Sequence, residues 1–180
     1  MIGAVGALLI ASCATLSADD RDALTPQQDS AKYPCDVFSY AFCFRKPYGA
    51  VVLQRSGPDF EIYQVQGGDS RPFFSLYVGT TPERESDDAV RLRNFKVRGI
   101  DVTVNLYLDA EGNDAVELRL SYPTGLKVHV FDARDAVART ALAEVLSGFR
   151  ACSKLDFTSI ECEVAPLFDS DVASVIQQRD

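Results

Sequence analysis

Alternation of apolar and polar residues with a period of two, which recurs along most of the chain after Tyr33, constrains the fold more than any other feature. The pattern is clearest in residues 101–108, and residues 115–121 repeat it after the short loop 109–113. The aliphatic members of the first segment share one side of a strand: Val102, Val104, Leu106 and Leu108. These segments therefore predict a β-hairpin with one face towards a core and the other towards water.

Further segments with strand-like patterns predict an antiparallel sheet. Turns that contain glycine or proline separate them at 57–59, 67–69, 80–82, 111–113 and 123–125. The connections are too short to hold crossover helices, so we expect a curved meander of about seven or eight strands. The candidate strands are 36–44, 50–55, 59–66, 72–79, 90–98, 100–109, 114–121 and 125–131.

A helical period replaces the strand pattern in residues 132–149. Asp132 is placed to cap this helix and Gly148 to end it. A second, short helix is predicted at about 170–178. The predicted fold class is therefore α+β, a curved antiparallel sheet with one main helix packed on it and a short C-terminal helix.

Two adjacent aromatic residues, Phe73 and Phe74, bear on how the sheet is covered. Neighbouring side chains of a strand point to opposite faces, so the two rings cannot be buried in the same layer. Unless a second layer covers the sheet, one of them is exposed and available to a partner.

The first twelve residues form an uncharged apolar stretch that is too short to span a bilayer as a helix. It ends in Ile10-Ala11-Ser12-Cys13, which resembles the lipobox of bacterial lipoproteins. The resemblance implies a signal peptide at 1–12 and a lipid anchor on Cys13. Cleavage after Ala14 or Ala18 and burial of the whole segment are the alternatives. Because a positively charged region is missing before the stretch, we expect the natural chain to begin upstream of Met1.

Residues 13–32 lack a sustained apolar period and are rich in small and polar types. We expect them to form a flexible tether between the lipid anchor and a single domain at 33–180. Ala14 follows the cysteine, and by the same resemblance this favours the outer membrane, with the domain facing the periplasm.

Four cysteines remain once Cys13 is set aside, an even number for a chain expected in an oxidising compartment. Two disulfides are predicted, and three pairings are possible. We favour the local pairs Cys35–Cys43 and Cys152–Cys162, because each closes a short loop. A zinc site is the alternative, although the chain has no Cys-x-x-Cys pair and a single histidine.

The formal net charge of −8 argues against a nucleic-acid partner and against binding to an anionic membrane surface. It favours a partner with a basic surface, while solubility is the simpler explanation. Membrane contact is expected through the lipid anchor alone.

Side chains that could carry chemistry are few. His129 alternates with apolar residues on the side of its strand that carries Lys127, so we expect it on the solvated face rather than in a catalytic site. Residues 109–114 resemble the start of a calcium loop, but Leu120 stands where an EF-hand needs a glutamate, so a hairpin turn is favoured. We expect no metal, no cofactor and no enzymatic activity.

An acidic run at 83–88 is the predicted partner-binding segment. A solvated connection between strands is the alternative. Acidic side chains projecting from a rigid sheet would attract a basic groove. The proposed contact residues are Glu83, Arg84, Glu85, Asp87 and Asp88.

Residues 56–63, followed by 74–82, resemble a pattern in small proteobacterial envelope lipoproteins that brings no known active site with it. Together with the leader, this predicts a periplasm-facing lipoprotein that binds and neutralises another protein, such as a basic hydrolase or toxin. Inhibitors and immunity proteins have this build. An envelope-assembly or ligand-binding lipoprotein is the main alternative, and a hydrolase the lesser one.

Overall fold

The computed structural model describes residues 33–82, 89–109, 111–155, 159–168 and 176. The side chains of residues 89–92 are also outside the description. Within these ranges the chain forms eleven strands and one helix: β1 (Val37–Phe38), β2 (Phe42–Phe44), β3 (Val51–Ser56), β4 (Phe60–Gln66), β5 (Pro72–Gly79), β6 (Ala89–Val97), β7 (Ile100–Leu108), β8 (Asp114–Ser121), β9 (Lys127–Ala133), α1 (Ala136–Gly148), β10 (Arg150–Lys154) and β11 (Ile160–Cys162).

The strands form two sheets. Seven of them make a large sheet in the order β3-β4-β5-β9-β8-β7-β6, which curls into a half-barrel. The other four make a small sheet in the order β1-β2-β10-β11. The predicted combination of an antiparallel sheet and one main helix is therefore confirmed, whereas the prediction of a single sheet is wrong.

The large sheet is not one continuous meander. All neighbouring strands are antiparallel, but β5 pairs with β9 rather than with β6. As a result β5 and β6 run in the same direction, and Gly79 and Ala89 lie at opposite ends of the sheet. The prediction of consecutive neighbours fails at this one connection.

The small sheet arises because the predicted strand 36–44 folds back on itself. The amide of Ser39 donates a hydrogen bond of 2.8 Å to the carbonyl of Phe42, which closes a turn between β1 and β2. The free side of β2 then pairs with β10, a strand that the sequence pattern did not indicate.

One face of the large sheet packs in the core with α1, which contacts β5 and β9 and also reaches β2. This core face carries fully buried aliphatic residues such as Leu76, Leu118 and Val130. Between the layers, the ring of Phe42 lies 5.1 Å from that of Phe149. Each fully buried side chain of this kind contributes about 1.5–3 kcal/mol through removal from water.

The helix α1 begins one turn later than predicted. Its N-cap is Asp135, whose Oδ1 accepts a hydrogen bond of 2.8 Å from the amide of Ala138. Asp132, the predicted cap, still belongs to β9. Gly148 ends the helix as predicted. The predicted second helix lies outside the described residues except for Ile176, and no helix in the described ranges has the length and apolarity needed to cross a bilayer.

Candidate functional site

Polar residues occupy the opposite side of the large sheet, which we call the polar face. Asn105 on β7, Glu117 on β8 and His129 on β9 alternate with the aliphatic residues of the core face. The pairing of β7 with β8 sets Asn105 directly across from Glu117. All three are buried, with 4 to 5% of their surface exposed. The prediction that His129 lies on a solvated face is therefore wrong.

Glu117 is the centre of this group. One carboxylate oxygen, Oε1, contacts Nε2 of His129 and accepts a hydrogen bond of 3.2 Å from Arg119. The other, Oε2, accepts a bond of 3.3 Å from the side-chain amide of Asn105. Burial alone would raise the pKa of Glu117, but the hydrogen bonds and charges of His129 and Arg119 outweigh it and hold the pKa below its usual value. Glu117 is therefore an ionised carboxylate in a buried position.

Asn105 leaves one polar atom of this group unsatisfied. Its Oδ1 is buried and has no hydrogen-bond partner among the described residues. A buried carbonyl without a partner costs about 1–3 kcal/mol, so it is an acceptor position for a donor that the described chain does not supply.

Aromatic rings surround the polar group. The ring of Phe131 lies 5.1 Å from the imidazole of His129 on the same strand, and Tyr77 of β5 pairs with His129 from the other side. Burial, with the nearby charges of Asp132 and Glu117, raises the pKa of Tyr107, which stays protonated and can donate. Within the described ranges no serine, threonine or cysteine side chain is hydrogen-bonded to the imidazole of His129.

A β-bulge sets the end of β9 beside this face. The register between β8 and β9 shifts between Val116 and Leu118, and Asp132 adopts a left-handed backbone conformation with φ of 67°. Aspartate tolerates that conformation better than most residues. The strand β9 continues through this bulge to Ala133, so Asp132 lies within the strand and Asp135 caps α1.

The bulge borders a cavity of about 400 Å³ at the start of β5 and of α1. Charged residues line its mouth in pairs. Arg71 donates a hydrogen bond of 2.6 Å to Asp135, and Arg134 donates one of 2.7 Å to Asp132. The Asp135 carboxylate thus serves both the helix cap and an ion pair. Each acid is matched by a base, so the cavity carries no excess charge from these groups.

The other predicted sites fall partly outside the structure. Both local disulfides are present, Cys35–Cys43 and Cys152–Cys162. The loop after β7 is a hairpin turn in which Asp109 accepts a hydrogen bond of 2.8 Å from the amide of Asn113. Phe74 is buried in the core and Phe73 is partly exposed, as their alternation predicts. Cys13 and the acidic run Glu83, Arg84, Glu85, Asp87 and Asp88 lie outside the described residues.

Negative charge is concentrated in the acidic run 83–88. Four of its six residues are acidic and one is basic, which gives the run a formal net charge of −3 out of −8 for the whole chain.

The polar face was not found from the sequence, although one signal was available. The predicted hairpin of 101–108 and 115–121 has a fixed register, and that register places Asn105 across from Glu117. His129 lies across from Arg119 in the next hairpin, between the turn at 122–126 and the bulge at Asp132, so the register from that turn places it on the same face.

No protein-family profile, curated protein or solved structure matches this chain. Function is therefore inferred from the residues of this chain. Two regions are candidates for a functional site. One is the acidic run 83–88, known from the sequence. The other is the polar face with its unsatisfied acceptor on Asn105.

Proposed function

We propose that the protein is a lipid-anchored protein of the bacterial envelope that faces the periplasm and binds and neutralises another protein. The lipobox-like segment that ends at Cys13 supports the anchor. Two disulfides between cysteines 35, 43, 152 and 162 suit an oxidising compartment. The partner we propose is a hydrolase or toxin with a basic surface.

The acidic run 83–88 carries this proposal. Four of its six residues are acidic and one is basic, so its formal net charge is −3. The run connects β5 to β6 along the chain. Concentrated charge of one sign speeds association with an oppositely charged partner, mainly by raising the association rate.

Capture of partners from periplasmic extracts and from the medium of competing cells tests the proposal. The full chain with Cys13→Ser serves as bait, and E83Q/E85Q/D87N/D88N is the test variant. A matched control, D19N/D20N/D22N/D29N, removes the same number of charges from the tether. We expect one basic hydrolase to be retained in stoichiometric amount and inhibited, by the parent and by the control.

The test variant should lose most of this binding at low salt, because charge steering is strongest when screening is weak. Retention that survives in the test variant would contradict the role of 83–88. If no protein is retained by the parent under any salt condition, the proposal as a whole fails.

A small-ligand-binding lipoprotein is the second candidate, and the unsatisfied Oδ1 of Asn105 favours it. A ligand with an N–H or O–H donor would satisfy this atom. Native mass spectrometry of protein purified from its own cells would reveal such a ligand. It should be absent from Asn105→Leu and retained by Asn94→Leu, a matched change at an exposed position of β6.

A further inference from the structure

The four paired cysteines form one sulfur cluster in the small sheet: Cys35, Cys43, Cys152 and Cys162. The Sγ atoms of Cys43, Cys152 and Cys162 all lie within 4.8 Å of one another, so the sulfur atoms of the two disulfides are close neighbours. Strand register produces this arrangement. Cys43 on β2 faces Arg150 on β10, Cys152 follows two residues later on the same side, and Cys162 on β11 lies across from Cys152.

Arg150 of β10 lies across from Cys43 of β2 and two residues before Cys152. It is 7% exposed, and its guanidinium donates hydrogen bonds to the carbonyl oxygens of Gly148 at 2.7 Å and Val164 at 3.2 Å. No described carboxylate pairs with it. Burial, and after it the charge of Arg45, lower the pKa of Arg150. A positive charge near a cysteine lowers the pKa of its thiol and favours the thiolate.

We propose that the sulfur cluster is a thiol–disulfide exchange site. Reduction of one disulfide causes a cysteine of the other to change its bonding partner. A dithiol on a redox partner first reduces Cys152–Cys162 and is itself oxidised to a disulfide. The Cys152 thiolate then attacks Sγ of Cys43, forms the bond Cys43–Cys152 and expels Cys35 as a thiolate. Two electrons enter from the dithiol, and the second step is an isomerisation that consumes none.

We assign the attack to Cys152 because it lies on β10, the strand that pairs with β2 and Cys43, whereas Cys162 lies one strand further away on β11. Cys43 is fully buried, so an external thiol has poorer access to it than an internal one. The exchange releases Cys35, which lies next to the segment that leads to Cys13. The product has free thiols at Cys35 and Cys162 and a new bond between β2 and β10.

Limited reduction tests the exchange on the full chain with Cys13→Ser, which removes the one cysteine outside the pairs. Dithiothreitol is added at low equivalents, samples are quenched in acid and alkylated, and peptides are mapped by mass spectrometry. We expect the one-disulfide species to contain Cys43–Cys152, with Cys35 and Cys162 alkylated. A one-disulfide species that keeps Cys35–Cys43 or Cys152–Cys162, or that contains Cys43–Cys162, would overturn the proposal.

A second variant, C13S/C162S, leaves Cys152 as a free thiol without added reductant. We expect alkylation to be shared between Cys152 and Cys35, whereas alkylation of Cys152 alone would contradict the exchange. Circular dichroism checks that this variant folds, and if it does not, the limited reduction decides the question.

The role of Arg150 is tested by the rate of bond transfer after limited reduction. Arg150→Gln should slow the transfer several-fold at neutral pH, and Arg150→Lys should restore most of the rate, because it keeps the charge. Equal rates in both variants and the parent would remove Arg150 from the mechanism.

Discussion

On β8, Leu118 and Glu117 are neighbours in the chain, lie on opposite faces of the large sheet and are both buried. Leu118 belongs to the core face, where apolar side chains pack with α1. Glu117 belongs to the polar face and is held by hydrogen bonds from His129, Arg119 and Asn105. Strand alternation determines which face a residue occupies. It does not determine whether that face is exposed.

The two faces should respond differently to loss of a side chain, and the largest effect is expected on the core face. Phe74→Ala should lower the free energy of unfolding by about 3–5 kcal/mol, because it leaves a cavity in a fully packed core. Phe73→Ala, one residue away on the partly exposed side, should cost about 1 kcal/mol. Urea denaturation followed by circular dichroism measures both. Similar losses would show that the polar face is packed as tightly as the core face.

On the polar face, removal of charge should matter more than removal of volume. Glu117→Gln keeps the shape but leaves buried His129 and partly exposed Arg119 without their carboxylate, so we expect a loss of about 1–3 kcal/mol in the free energy of unfolding. Glu144→Gln, at an exposed position of α1, is the matched control and should change it by less than about 0.5 kcal/mol. If the two variants were equally stable, the group around Glu117 would contribute nothing to the fold.

The helix α1 packs on the core face, and loss of its N-cap should have a smaller effect on stability. Asp135→Ala removes the N-cap and should lower the free energy of unfolding by about 1 kcal/mol. Asp135→Asn keeps an acceptor for the amide of Ala138 and should lower the free energy of unfolding by only about 0.3 kcal/mol. Thermal denaturation resolves the pair. A loss shared equally by both variants would assign the effect to the Arg71 ion pair instead.

The smallest expected effect is on the pH dependence of stability. It is the part of the Glu117 contribution to the free energy of unfolding that depends on ionisation of the carboxyl group. The pKa of Glu117 is lowered in the folded protein, so its contribution is complete above the usual carboxyl pKa of about 4.5 and is lost as pH falls through the lower folded value. The stability difference between the parent and Glu117→Gln should therefore be constant near neutral pH and shrink below about pH 4.5. Urea denaturation at a series of pH values measures it. A difference that grew on acidification would contradict the assigned direction.

Local patterns predicted most of the secondary structure. The predicted strands 59–66, 72–79 and 114–121 differ from β4, β5 and β8 by no more than one residue at either end. The pairs Cys35–Cys43 and Cys152–Cys162 were also predictable, because each joins cysteines close in the chain. Alternation, turn residues and short loops are properties of a few consecutive residues.

The candidate sites depend on contacts between distant segments, and here prediction failed or was silent. His129 lies beside the buried Glu117 because β9 pairs with β8, and the helix cap is Asp135 because β9 continues through Asp132 to Ala133. The sulfur cluster exists because β2, from the start of the domain, pairs with β10 near its end.

The sequence by itself determined where strands, turns, the helix and the local disulfides form, since the residues that decide these features are neighbours in the chain. Tertiary structure alone decided that β5 pairs with β9, that β2 pairs with β10, and that the two disulfides therefore lie together. Such pairings are selected by how completely the whole sheet can bury its apolar face, against the entropy of closing long loops. This balance depends on the whole chain, so it cannot be deduced from any short stretch of residues.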